Sequence, residues 1–126
     1  MRVYDLLEAS VSIAKDGTTG EVTLGEVDKW TFGEGKQCEL LAVHLTLPDY
    51  TNTVATTFNL QDENDHVFYT KAALTQDGIH ALPDAAVYPK LMIESTSKMQ
   101  ITLAGVPGGS AASVVSARFF LLRNRH

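Results

Sequence analysis

The stretch "LQDENDHVFY", Leu60 to Tyr69, sets Asp62, Glu63, Asn64 and Asp65 side by side between two apolar runs. Oxygen donors at that density are what a calcium ion needs, so a cation loop is the first chemistry to consider. An EF-hand loop needs donors at alternating positions, glycine at the sixth and a bidentate glutamate at the twelfth. Counted from Asp62, the third position is Asn64, the fifth His66, the sixth Val67 and the twelfth Ala73. Valine does not readily make the turn that glycine makes, and no carboxylate closes the loop. Asp and Asn side chains also hydrogen-bond their own backbone in turns. With "FNL" before it and "VFY" after it, the run reads as the tip of a hairpin.

Other reactive groups are scattered. His44, His66, His80 and His126 share no H-x-H or H-x-x-x-H spacing, so the sequence builds no zinc or iron centre. No G-x-S-x-G elbow is present, "GEGK" lacks the Walker spacing, and the glycines beside Ser110 in "PGGS" suit a tight turn. Glu39 and Glu94 are carboxylates that a glycosidase would need to pair, but nothing in the sequence brings them together. Cys38, the single cysteine, allows no intrachain disulfide and reads as a small buried residue within "KQCELLAVHL". These features point away from an enzyme and call for no cofactor.

Aromatic residues keep a binding role open. Trp30, Tyr50, Tyr69 and Tyr88 fall in or beside loops and short strands, where an exposed ring can stack on a sugar or anchor a protein contact. Trp30 reads as core or rim packing, and Tyr50, in the "PDYTN" turn, as the stronger candidate for a surface contact.

The elements that would position these groups are strands. Period-2 alternation puts Leu41, Val43, Leu45 and Leu47 on one face and Ala42, His44 and Thr46 on the other. Val54, Thr56, Phe58 and Leu60 repeat the device, as do Met99, Ile101 and Leu103, and near the start Leu7, Ala9, Val11 and Ile13. "SVVSARFFLL" is apolar on both faces at its end, which suits a central strand. Turn residues separate the runs in "KDGTTG", "GEGK", "PDYTN", "DEND", "QDG" and "PGGS". "MRVYDLLEA" has room for a helical turn or two, and Pro89 stops "DAAVYPKL" before it lengthens. About eight strands follow, over 3–14, 21–28, 30–33, 38–47, 54–61, 66–70, 90–94 with 99–104, and 113–122. The expected fold is all-β, one domain over 1–126, an antiparallel jelly-roll-like β-sandwich, with a small barrel as the alternative. Residues 1–12 are expected as an N-terminal arm or an edge strand.

Charge and length narrow the setting. A chain of 126 residues buries enough surface to fold without a metal or disulfide. Net charge −5 argues against nucleic acid, whose binding is dominated by cation–phosphate contacts. The acidic start does not read as a signal peptide, and no run approaches the ~20 apolar residues of a membrane-spanning helix. The sequence thus implies synthesis in a cytoplasm, with no membrane partner.

From residue 40 to 121 the chain resembles small virion proteins of tailed bacteriophages. The likeness rests on Pro48 with Tyr50 to Val54, a hairpin holding Asp62 and Tyr69, and the "ITLAGVPGG" turn from Ile101 to Gly109. The resemblance implies a capsid decoration (cement) protein. Such a protein binds the outer shell through the major capsid protein as a homo-oligomer, a trimer favoured, and is found on the virion after synthesis in the host cytoplasm. Its mechanism would be linkage, since binding only the assembled shell stabilises that shell. The expected contact residues are Tyr4 and Leu6 in the N-terminal segment, Trp30, Tyr50, and a basic tail at Arg118, Arg123 and Arg125. A carbohydrate-binding or adhesion-type β-sandwich module is the alternative.

Overall fold

Each alternating run becomes a strand with one face turned inward. The computed structural model describes residues 2–27 and 37–124. In chain order these form β1 (Arg2–Ile13), β2 (Thr19–Thr23), a one-turn helix α1 (Leu24–Val27), β3 (Gln37–Leu47), β4 (Thr56–Gln61), β5 (Val67–Leu74), β6 (Gly78–Leu82), β7 (Met92–Glu94), β8 (Lys98–Leu103) and β9 (Ser113–Asn124). One sheet runs β1-β9-β3-β6, with β7 also paired to β3, and the other runs β2-β8-β4-β5. All seven strand pairings are antiparallel. Apart from β7 and the β4–β5 hairpin, successive strands cross between the sheets as two interleaved Greek keys, which is the jelly roll.

The core lies between the sheets. Leu7, Val11 and Ile13 of β1, Val43, Leu45 and Leu47 of β3, and Val115, Phe119 and Leu121 of β9 face Phe58, Leu60, Met99, Ile101 and Leu103 from the other sheet. Phe58 and Phe119 are wholly buried, and truncating such a ring to alanine costs roughly 3–5 kcal/mol. The double-sided apolar end of β9 reflects its place between β1 and β3.

Some boundaries differ from the sequence expectation. The run read as a strand over 21–28 stops at Thr23 and turns into α1. Leu24 N–H and Gly25 N–H donate to the carbonyls of Ser97 and Ser95 at 2.9 and 3.0 Å, which pulls the chain out of the ladder. A Cβ on Gly25 would lie 2.6 Å from the Ser95 carbonyl oxygen, so only glycine permits this approach. The start of the chain is strand throughout, paired residue for residue with β9 from Arg2↔Asn124 to Ile13↔Ser113, and forms the edge of its sheet. No helical turn forms there. β6 escaped the sequence reading because only Leu82 of its five residues is buried, leaving no inward stripe to detect. The strand expected over 30–33 lies outside the described residues.

Loops at one end of the sandwich are tied together. Gln76 donates through Nε2 to Asp49 Oδ1 (3.0 Å) and the Tyr50 carbonyl (2.9 Å), and accepts from Val54 N–H (3.0 Å). Asn52 donates its N–H to the Pro107 carbonyl and its Nδ2 to the Val106 carbonyl. Gly108 and Gly109 have φ of +71° and +91°, and side chains there would strike Asn52 and Thr51 at 2.7 Å. The "PDYTN" and "VPGG" segments are therefore two halves of one interlocked structure.

Candidate interaction surface

The four-strand register builds a continuous outer face on the β1-β9-β3-β6 sheet. Across it, cross-strand rows run Tyr4–Leu122–Glu39, Leu6–Phe120–Ala42, Glu8–Arg118–His44 and Ser10–Ser116–Thr46–Ile79. The face has three zones. Its first is apolar: Tyr4 is 75% exposed, Leu6 and Leu41 are each 39% exposed, and Phe120 lies half-buried between strands. Leu41 joins it because a bulge between Leu40 and Ala42 turns it outward. Strict alternation would have placed Leu41 in the core with Val43, and Leu40 takes that inward place instead.

A polar row crosses the middle. Arg118 Nε lies 3.2 Å from Glu8 Oε1, both side chains largely in water, so the pair adds little stability. On the far side of Arg118, the His44 ring meets Phe120 edge-on at 4.7 Å. The third zone is a shallow open trough of about 520 Å3, floored by Ser10, Ser116 and Thr46 and flanked by Ile79 and Val27. Ile79 is 70% exposed.

The residues expected to make contacts divide. Tyr4, Leu6 and Arg118 are on this face together. Arg123 is not: inward-facing residues of β9 are odd-numbered from Val115 on, and Arg123 follows that phase, meeting Asp5 at 2.5 Å with both side chains mostly buried. The expected basic tail is thus split between two faces of one strand. Cys38 lies beside this ion pair, and burial pushes its thiol pKa up, more than the Arg123 charge pulls it down. Tyr50, expected at a surface contact, is 4% exposed and belongs to the core. The Gln76 and Asn52 bonds draw its loop over the end of the sandwich, where the ring packs and its hydroxyl comes within 3.4 Å of Thr56 Oγ1. Burial raises the phenol pKa. Trp30 and Arg125 lie outside the described residues. The sequence did not mark Glu8, Leu41 or Ile79, because their roles come from cross-strand register and a bulge.

The acidic run is a hairpin tip between β4 and β5. Asp62 Oδ1 accepts from the N–H groups of Asn64 (2.8 Å) and His66 (2.9 Å), while Asp65 has φ +65° and holds Lys98 Nζ at 2.6 Å. The His66 N–H bond, foremost, holds the Asp62 carboxyl below its ordinary pKa. Among the described residues no group of three or more His, Cys, Asp or Glu is placed to hold a metal ion. No helix there is long and apolar enough to cross a membrane. Two serine–lysine pairs have the S-x-x-K spacing, Ser12 with Lys15 and Ser95 with Lys98, and both lie at strand ends and turns rather than on a helix. Lys98 of the second pair binds Asp65.

The fold and this face define an antiparallel β-sandwich of jelly-roll order with a broad exposed sheet surface. No protein-family model matches the chain, and no curated protein matches it in sequence. Its structure is similar to a subunit of Bacillus endospore appendages, a family of disulfide-linked pili, at 12% identity and a TM-score of 0.55, over all of this chain and 90% of that one. A weaker likeness, TM-score 0.26 at 12% identity, is to the CBM22-1 xylan-binding domain of Paenibacillus barcinonensis Xyn10C, over 95% of this chain and 84% of that one. Neither is a phage capsid protein, and likeness at this identity is likeness of fold.

Proposed function

We propose that the protein is a non-enzymatic structural component of an assembled particle, and that it binds the particle through the apolar zone of its outer sheet face. Decoration of a tailed-phage capsid is the particular form of this reading, with the major capsid protein as partner, a homo-oligomer (trimer favoured) as the bound state, and the virion surface as its location. One observation carries the proposal. Tyr4, Leu6 and Leu41 stand exposed around half-buried Phe120 on the outer sheet face, and apolar groups clustered in the open mark contact surfaces. Aromatic anchors such as Tyr4 commonly dominate such contacts.

Co-sedimentation of the purified protein with assembled phage heads tests the reading, and failure to pellet with them counts against it. A glycan array is the companion assay. Phe68 and Tyr88 share a groove with Lys90 and Met92, and sugar binding lost on Tyr88→Ala would move the account to the carbohydrate-binding alternative.

A further inference from the structure

Neither the trough nor the acidic tip has a part in the particle contact proposed above, and their chemistries match. Around the trough stand Arg118, His44 and the hydroxyls of Ser10, Ser116 and Thr46, with Glu8 the acid beside them. Glu8 engages Arg118 at Nε. A guanidinium carries five N–H donors in a planar fork, so its terminal amino groups remain able to grip a second carboxylate.

The tip supplies such a carboxylate in fixed form. Asp62 is turned back onto the backbone of Asn64 and His66, and Asp65 is held by Lys98. Glu63, at the apex between them, is exposed and makes no hydrogen bond or ion pair among the described residues. The bonds around it order the tip before it meets anything, which lowers the entropy cost of a contact. Tip and trough belong to different sheets, the tip joining β4 to β5 and the trough lying on the outer face of β1, β9, β3 and β6.

We propose that the trough receives the β4–β5 tip of a second copy of this chain, with Glu63 on the Arg118 guanidinium. The occupant is a second copy because the chain carries both complementary parts and presents them on different surfaces. The contact is heterologous, so successive copies form a ring or an open row rather than a closed pair. A single tip in a trough buries less than the roughly 1,200 Å2 of a stable interface, so the association is weak in free solution. It strengthens when copies are held side by side on a particle. The inference concerns a different zone from the apolar one assigned to the particle, and it stands or falls separately.

Sedimentation equilibrium of the full chain at about 150 mM salt, where the Debye length is about 8 Å, tests it. Arg118→Glu and Glu63→Lys are measured singly and as an equal mixture, with the melting temperature of each as a folding control. Wild type should associate with rising concentration, each variant alone should associate roughly tenfold more weakly, the scale of one charge-assisted contact, and the mixture should recover association. Recovery cannot come from misfolded chains. Wild type that stays monomeric throughout, single variants that associate like wild type, weakening by only one of the two changes, or a mixture no better than its parts would each overturn the proposal. Particle binding through Tyr4 and Leu6 is read in a separate co-sedimentation, so loss of one result leaves the other intact.

Discussion

Replacing Gln76 with methionine keeps the side chain's length and removes the polar atoms through which Gln76 ties the Asp49–Val54 loop. Wild-type Gln76 makes three hydrogen bonds, to Asp49 Oδ1, the Tyr50 carbonyl and Val54 N–H, at 2.9–3.0 Å. Water can replace the exposed contact with Asp49 at little cost. The Tyr50 and Val54 groups are partly buried, and each loses about 1 kcal/mol when its partner disappears, more if water does not reach it. The loss of stability is therefore about 2 kcal/mol. Unfolding entropy near 60 °C is about 2.1 cal/mol/K per residue. For a chain of 126 residues, that loss lowers Tm by about 8 °C. Urea unfolding followed by circular dichroism gives the change directly, with exposed Thr53→Ala as a control that should stay within about 0.5 kcal/mol of wild type. A Gln76→Met protein within 0.5 kcal/mol of wild type would refute the claim that this side chain holds Tyr50 and its loop in place.

Gly108→Ala places a Cβ at φ +71° and 2.7 Å from Asn52 Nδ2, so it should cost about 1–2 kcal/mol of stability from the backbone alone, read by the same urea titration. An unchanged midpoint would mean that the turn adopts another conformation. Asp62 should titrate below an aspartate in an unstructured peptide when followed by carboxyl carbon NMR, because backbone N–H groups favour its charged form. A depressed folded pKa contributes stability above the ordinary aspartate value, and this is lost as pH falls through the folded pKa. Asp62→Ala should therefore narrow the gap between wild-type and variant stability in acid, and a gap independent of pH would contradict the role.

Much of the sandwich was legible because its strands are half-buried. Leu7 to Ile13, Thr56 to Leu60 and Met99 to Leu103 each carry an inward stripe at period 2 and form strands with that stripe in the core, while Val54, read as the start of the second run, lies before β4 and is only partly buried. The jelly-roll order was readable at the level of class, from short strands punctuated by turns. What was not legible depends on contacts distant in sequence. Leu41 is exposed only because a bulge shifts the register of β3 against β9. Tyr50 sits in a turn by sequence and in the core by tertiary clamping from Gln76. Arg118 and Arg123 read as one basic patch, but they are five positions apart on one strand, and that odd separation puts them on opposite faces. The hairpin reading of "DEND" was available in advance, since the backbone-seeking habit of Asp is local.

The proposed particle contact runs through the Tyr4–Leu6 zone of the outer sheet face. Its most direct test is co-sedimentation of wild type and of a Tyr4→Ser/Leu6→Ser variant, shown to be folded by its melting curve, with assembled tailed-phage heads, the particle of the proposed reading. The account predicts saturable pelleting of wild type and loss of at least roughly tenfold in affinity for the variant, the scale of an aromatic anchor at a contact. Wild type that stays in the supernatant, or a folded variant that pellets as wild type does, would contradict it.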